Sequence, residues 1–165
     1  MNYDSEAQPK EDRLATALMF SAIILGLSLA PIDLFHLNLT TVFEVVTKNI
    51  GIVIYILGML LVMASMNANE FAETTVSIQE GRGQKVIDTG IYSLVRHPMY
   101  TGFIFFITGV NLWLGTYLSL LLSLTFLAIA LRSRINIEEK TLLNDLEGYD
   151  NYCKKVKARL IPFLF

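Results

Sequence analysis

The chain has 165 residues, of which 53% are hydrophobic and 17% charged, against about 25% charged in an ordinary soluble domain; the mean hydropathy is +0.50. This balance excludes a disordered chain, argues against a water-soluble globule, and with the length predicts one domain over residues 1–165. A formal net charge of −2 offers no basic excess for nucleic acid, and the lone cysteine, Cys153, excludes an internal disulfide framework and any multi-cysteine metal site, so no metal is expected.

The charges are unevenly placed. None falls between Leu14 and Ile32 (19 residues), between Asn49 and Asn69 (21 residues), or between Pro98 and Leu131 (34 residues). About 20 helical residues cross the roughly 30 Å hydrocarbon layer. The first two runs therefore predict one crossing each. The third suits two crossings, with Asn111, Trp113, Gly115 and Thr116 at its centre as a tight turn. The expected fold is all-α and polytopic, with four spans near 14–32, 49–68, 98–113 and 116–132. The last two form a helical hairpin, and short cytoplasmic helices follow it. The acidic stretch before the first run lacks the basic n-region of a cleaved signal, so that run reads as a membrane helix.

Orientation follows from Lys and Arg. With four spans, one side holds Lys10, Arg13, Arg82, Lys85, Arg96, Arg132, Arg134, Lys140, Lys154, Lys155, Lys157 and Arg159, and the other only Lys48. Both termini are therefore expected in the cytoplasm, and a bacterial protein would sit in the inner membrane.

Two polar segments lie on that side. The stretch Glu70–Arg96 carries the turn signals Gly81-Arg82-Gly83 and Asp88-Thr89-Gly90, and a loop of this length is usually functional. Neither a phosphate loop nor a G-x-G-x-x-G fingerprint occurs. From Arg132 the last span continues as a helix with Leu142, Leu143 and Leu146 on an apolar stripe. Gly148 is a stop signal, and a short helix is expected over Tyr149–Lys157.

The densest chemistry runs from Gly90 through Tyr92, Arg96, His97, Pro98 and Tyr100 to Gly102. Pro98 suits a first helical turn, which sets Arg96 and His97 at a helix N-terminus that attracts anions. The bland alternative is an interfacial anchor of Arg and Tyr. Arg134, Glu138 and Glu139 form a second cluster, for which the bland reading is a surface ion pair on a solvated helix. If the last two spans form a hairpin, both clusters meet at one membrane face. Together they suit a zwitterion: a carboxylate on Arg96 or the helix end, an ammonium on Glu138, a sulfonium near Tyr92 or Tyr100. S-adenosylmethionine fits, and so do other zwitterions. His36, in the opposite loop, and Cys153 read as ordinary polar and packing residues.

The pattern Val86-Ile87-x-x-Gly90-x-Tyr92-x-x-x-Arg96-His97-Pro98-x-Tyr100-x-Gly102, with Glu138-Glu139-x-x-Leu142 and Tyr149-x-x-Tyr152-x-x-x-Val156-x-x-Arg159-Leu160-Ile161-Pro162, resembles the isoprenylcysteine carboxyl methyltransferase family. That family is similar in architecture to phospholipid methyltransferases. The match covers about residues 70–165. The resemblance implies an integral membrane enzyme of about this architecture, using S-adenosylmethionine without a Rossmann domain and methylating a lipophilic or lipidated acceptor. It implies a cofactor-binding part over about 80–165, with contacts from Gln84, Lys85, Val86, Ile87, Tyr92, Arg96, His97, Pro98, Met99, Tyr100, Thr101 and Glu138. It places Arg134 at the acceptor carboxylate. His97 and Glu139 are candidate bases should the acceptor be an amine. The stretch Glu80–Gln84 carries an extra Arg-Gly relative to the common bacterial pattern, and the chain lacks several N-terminal helices of the eukaryotic enzymes. Other readings are a phospholipid or small-thiol methyltransferase, a sterol-reductase-like enzyme using a reduced nicotinamide cofactor, and a non-catalytic lipid-binding membrane protein.

Overall fold

The computed structural model describes residues 10–37, 45–71 and 83–162, all of them helix, turn or extended coil without strand pairing. The helices are α1 (Lys10–Ile32), α2 (Val45–Ala68), α3 (Pro98–Leu114), α4 (Tyr117–Asp145) and α5 (Tyr149–Lys155). Three segments, Asp12–His36, Val45–Ala68 and Tyr117–Asp145, are long and apolar enough to cross a membrane, and α3 is a shorter apolar helix. A helix lies over each of the four expected stretches, three of them of membrane-crossing length. The main difference is α4, which continues well past residue 132 and carries Arg134, Glu138 and Glu139 beyond the charge-free run.

The packing reverses the pattern of a soluble protein. Along α2 the buried residues are Gly51, Gly58 and Ser65, one every seven positions. Ile52, Val53, Leu57, Leu60 and Met63 face outward. Large apolar side chains on that surface suit lipid, whereas helix–helix contact is made by small residues that let backbones approach. Gly102 and Gly109 supply the matching seven-residue spacing on α3. A Cβ at Gly109 would lie 2.3 Å from the Tyr55 nitrogen, and one at Gly58 would lie 2.6 Å from the Phe106 nitrogen. Glycine is required there because backbone, which cannot rotate aside, fills the space. Helix α1 packs on α4 by the same device, with Gly26 against Ser123. Met19, Ala22, Tyr100, Ile107, Leu127, Ala130, Leu131 and Ile135 form the main core between α1, α3 and α4.

Local chemistry explains the helix ends. Pro31 interrupts α1, and the chain widens into a π-helical turn over Asp33–Leu37, consistent with the missing N–H and the ring's clash with the preceding turn. Helix α3 starts at Pro98, which needs no intrahelical partner at that position. It ends at Gly115, whose φ of 80° allows its N–H to reach Asn111 and Leu112. The fully buried Asn111 donates through Nδ2 to the Ile107 carbonyl (2.9 Å) and accepts the Thr116 hydroxyl (3.0 Å), so this polar turn is satisfied inside the helices.

Two local expectations are adjusted. The described part of the Glu70–Arg96 loop holds a 3-10 turn over Gly90–Ser93; residues 72–82, including Glu80, Gly81 and Arg82, lie outside the described residues. The short terminal helix stops at Lys155 rather than Lys157, because Val156 turns extended and leads the chain back toward Arg96.

Candidate functional site

The start of α3, the far half of α4 and the extended segment after α5 converge. At their centre lies Glu139, which is 5% exposed. Its Oε1 accepts Arg96 Nε at 2.8 Å and meets His97 Nε2 at 3.1 Å, and its Oε2 pairs with Arg159 Nη2 at 2.8 Å. Both carboxylate oxygens are therefore engaged by donors, which leaves Glu139 poorly placed to take a proton from an acceptor. Its geometry is that of a tie between α3, α4 and the tail.

Arg96 completes that tie. Its Nη1 donates to the carbonyls of Val156 (2.7 Å) and Lys157 (3.0 Å). The backbone N–H groups of Arg96 and His97 bond to Ala158 and Arg159 carbonyls, and the Thr101 hydroxyl donates to Leu160 (2.6 Å). Burial is the largest single influence on the Arg96 charge and opposes it, but the hydrogen bond to Glu139 and the attraction of that carboxylate and its neighbours together outweigh it and raise the guanidinium pKa. The sequence reading set Arg96 and the adjoining N–H groups out as an open anion site. The folded chain engages them with the extended 156–160 segment, whose main-chain carbonyls accept from the Arg96 guanidinium and from both N–H groups. Arg96 is also no simple interfacial anchor, since its side chain is only 8% exposed.

A second constellation stands on the neighbouring face of α4. The Tyr100 hydroxyl donates to Glu138 Oε2 at 2.6 Å and accepts from Arg134 Nε at 3.3 Å. Glu138 is one quarter exposed, so its carboxylate is both oriented and open. His97 Nδ1 lies 3.8 Å from Glu138 Oε1. When the ring is neutral with its proton on Nε2 facing Glu139, Nδ1 is the acceptor nitrogen. Arg134 is buried, so the surface ion-pair reading fails at this position. Its link to Glu138 runs through Tyr100. Tyr100 stacks on His97, with ring centroids 5.5 Å apart and planes 14° apart. One face of Tyr100 is thus covered, and the residue presents its hydroxyl to the site.

The remaining expected residues are distributed as follows. Tyr92 is buried, donates from its hydroxyl to the Ser65 carbonyl at 3.4 Å, and has a raised pKa from burial. Its own carbonyl accepts the Tyr152 hydroxyl at 2.7 Å. Pro98 is buried, and Met99 packs on the main core. Gln84 and Ile87 are half-buried and Lys85 is exposed. Val86 packs against Tyr149, Tyr152 and Val156, which holds the extended 84–87 segment beside α5. Cys153 borders the same cluster, and burial raises its thiol pKa, which does not suit a nucleophile.

Two residues of the site were not anticipated. Asp12, fully buried, pairs with Arg134 Nη1, and the Thr16 hydroxyl accepts from the same nitrogen at 2.7 Å. Both belong to α1. The available signal was a carboxylate just outside a charge-free run on the predicted cytoplasmic side. Nothing in the sequence indicated that α1 would pack on α4.

A cleft of about 390 Å³ opens between α3, α4 and the tail, lined by Ile104, Leu131, Ile135 and Leu160 with Arg132 and Arg159 among its polar residues. It adjoins the Glu139 tie through Arg159 and the Thr101 contact through Leu160.

Comparison with known proteins gives one consistent picture. The model of the phospholipid methyltransferase family matches residues 46–146. The protein-S-isoprenylcysteine O-methyltransferase of Schizosaccharomyces pombe is 32% identical over 102 residues, covering 60% of this chain and 43% of that protein. The Saccharomyces cerevisiae protein of the same name is 32% identical over 118 residues, covering 66% and 49%. A probable protein-S-isoprenylcysteine O-methyltransferase of Oryza sativa subsp. indica is 29% identical over 159 residues, covering 91% and 81%. The chain thus spans less than half the length of the two yeast relatives.

Proposed function

The chain belongs to the phospholipid methyltransferase family, and from that premise we propose that it is an integral membrane enzyme transferring the methyl group of S-adenosylmethionine to a lipophilic acceptor. The observation that carries the reading is the chain of contacts His97–Glu138–Tyr100–Arg134, an oriented carboxylate and a guanidinium held together by one hydroxyl. Four crossings with both termini in the cytoplasm put this constellation at the cytoplasmic bilayer surface, in keeping with the one-sided arrangement of Lys and Arg.

The residues suit the cofactor's charges. Glu138, fixed by Tyr100 and partly open, is placed to receive an ammonium. The 84–87 segment, Tyr92 and the His97–Thr101 turn would border the same space. When bound, S-adenosylmethionine supplies an electrophilic methyl carbon with a neutral thioether as its leaving group. The chain's contribution is alignment of the acceptor for in-line attack, an effect worth about 7–11 kcal/mol in well-oriented systems. Arg134 would receive the acceptor's polar end, and its alkyl or prenyl chain would lie in the apolar cleft beside Ile104, Leu131 and Ile135. A carboxylate acceptor, as the names of the relatives suggest, needs no base. For an amine, His97 Nδ1 is better disposed than Glu139, whose oxygens are already bonded.

The test is transfer of labelled methyl from S-adenosylmethionine by purified protein to S-farnesylcysteine, phosphatidylethanolamine and a long-chain thiol, with calorimetry of cofactor binding. Binding with transfer to one of them is expected. Absence of both binding and transfer would remove the reading.

A further inference from the structure

Asp12 is a carboxylate with no role in the chemistry above, yet it is fully buried, in the first turns of a helix that otherwise packs on α4 and α3 and leaves large apolar side chains exposed. Burying a charge is costly unless it is paired. Here the pair is Arg134, itself 2% exposed. Three contacts from two helices act on that guanidinium: Asp12 and Thr16 of α1 on Nη1, and the Tyr100 hydroxyl of α3 on Nε. Contacts at two nitrogens fix both the position and the plane of a rigid, planar group.

We infer that Asp12, assisted by Thr16, is a positioning residue for the methyl-acceptor site, holding the Arg134 guanidinium in the plane that receives the acceptor's polar end. The inference rests on the proposed function. It makes α1 part of the acceptor site, whereas the cofactor contacts lie on α3, α4 and the segment before α3. It also gives the site a division of labour. Glu139 anchors the tail through Arg96 and Arg159, and Asp12 anchors the acceptor side through Arg134. A neutral side chain at position 12 leaves Arg134 charged and in place but free to rotate. Acceptor recognition then weakens most, and Glu138, which Arg134 reaches only through the Tyr100 hydroxyl, is affected less.

The experiment compares the wild type with Asp12→Asn, Asp12→Glu and Thr16→Val, using whichever of S-farnesylcysteine, phosphatidylethanolamine and a long-chain thiol the wild type methylates. Loss of a hydrogen bond to a charged group predicts an acceptor KM raised roughly tenfold or more in Asp12→Asn. Affinity for S-adenosylmethionine by calorimetry should change by a clearly smaller factor than the acceptor KM, since Glu138 is linked to Arg134 only through the Tyr100 hydroxyl. Asp12→Glu should recover part of the loss. Thr16→Val, which removes one contact on the same nitrogen without changing any charge, should raise the same KM by a smaller factor. Unchanged acceptor KM in both Asp12→Asn and Thr16→Val overturns the inference and leaves the enzyme reading intact. So does a loss of kcat and cofactor affinity as large as the change in acceptor KM, the mark of a general structural role; a lower melting temperature in Asp12→Asn is itself expected, because Arg134 is left buried without its partner. Absence of cofactor binding and transfer in the wild type overturns the enzyme reading and this inference with it.

Discussion

Removing the Glu139 carboxylate is the sharpest test of how the site is held. In Glu139→Ala, Arg96 keeps its two carbonyl contacts, to Val156 and Lys157, but loses its only counter-charge among the ion pairs of the described residues. Its side chain is 8% exposed, so water cannot replace the lost partner. Arg159 is 34% exposed and can turn to solvent, so it adds little. His97 loses a 3.1 Å bond. Breaking a buried pair costs about 3–5 kcal/mol, and hydrogen bonds to charged groups run about 1.5–3 kcal/mol each. The expected loss is therefore about 3–4 kcal/mol, which for a chain of this size is a fall of roughly 10 °C in melting temperature. The tail should also loosen, because Glu139 braces Arg96, which grips Val156 and Lys157, and pairs directly with Arg159 of the tail. Trypsin acting at Lys157 and Arg159 of detergent-solubilised protein should then cut the variant faster than the wild type, by an order of magnitude or more. Arg159→Ala should cost less than about 1 kcal/mol. A Glu139→Ala protein with wild-type melting and wild-type protection of the tail would refute the tie and return Glu139 to the list of candidate bases.

Three further outcomes are expected. Tyr100→Phe removes the donor to Glu138 and the acceptor of Arg134 together, and should weaken S-adenosylmethionine binding about 10–100-fold by calorimetry, equivalent to about 1.5–3 kcal/mol. Gly109→Ala puts a Cβ 2.3 Å from the Tyr55 nitrogen; α2 and α3 must separate, at a cost of about 1–3 kcal/mol read as a lower melting temperature in detergent. Cys153→Ser should keep activity within about twofold, and the native thiol should react with maleimide at pH 7.5 more slowly than free cysteine, because burial raises its pKa and shields it; fast labelling with loss of activity would contradict the packing role.

Periodicity along one chain resolves elements well and partners poorly, and the site shows both sides of this. The charge-free runs located α1 through α4, and Pro98, Gly115 and Gly148 marked turns that the backbone adopts. The Arg96–Tyr100 and Arg134–Glu139 clusters do meet, because α3 and α4 are joined by the short Gly115-Thr116 turn, which returns the chain beside itself. What each arginine faces was not legible. Arg96 and Arg134 have the same chemistry and similar burial, yet one grips the tail and the other α1. That difference depends on the path of residues 156–160 and on which helix packs against α4. The relevant signals there are main-chain carbonyls, which carry no sequence information, and a seven-residue spacing of small side chains. The spacing shows that α2 and α3 can approach closely, but small residues are permissive and do not name their partner. Asp12 is the clearest instance. As one acid in an acidic N-terminal stretch it looks like a solvated charge. Only the approach of α1 to α4 at Gly26 and Ser123 carries it against Arg134, where a buried guanidinium makes a carboxylate necessary.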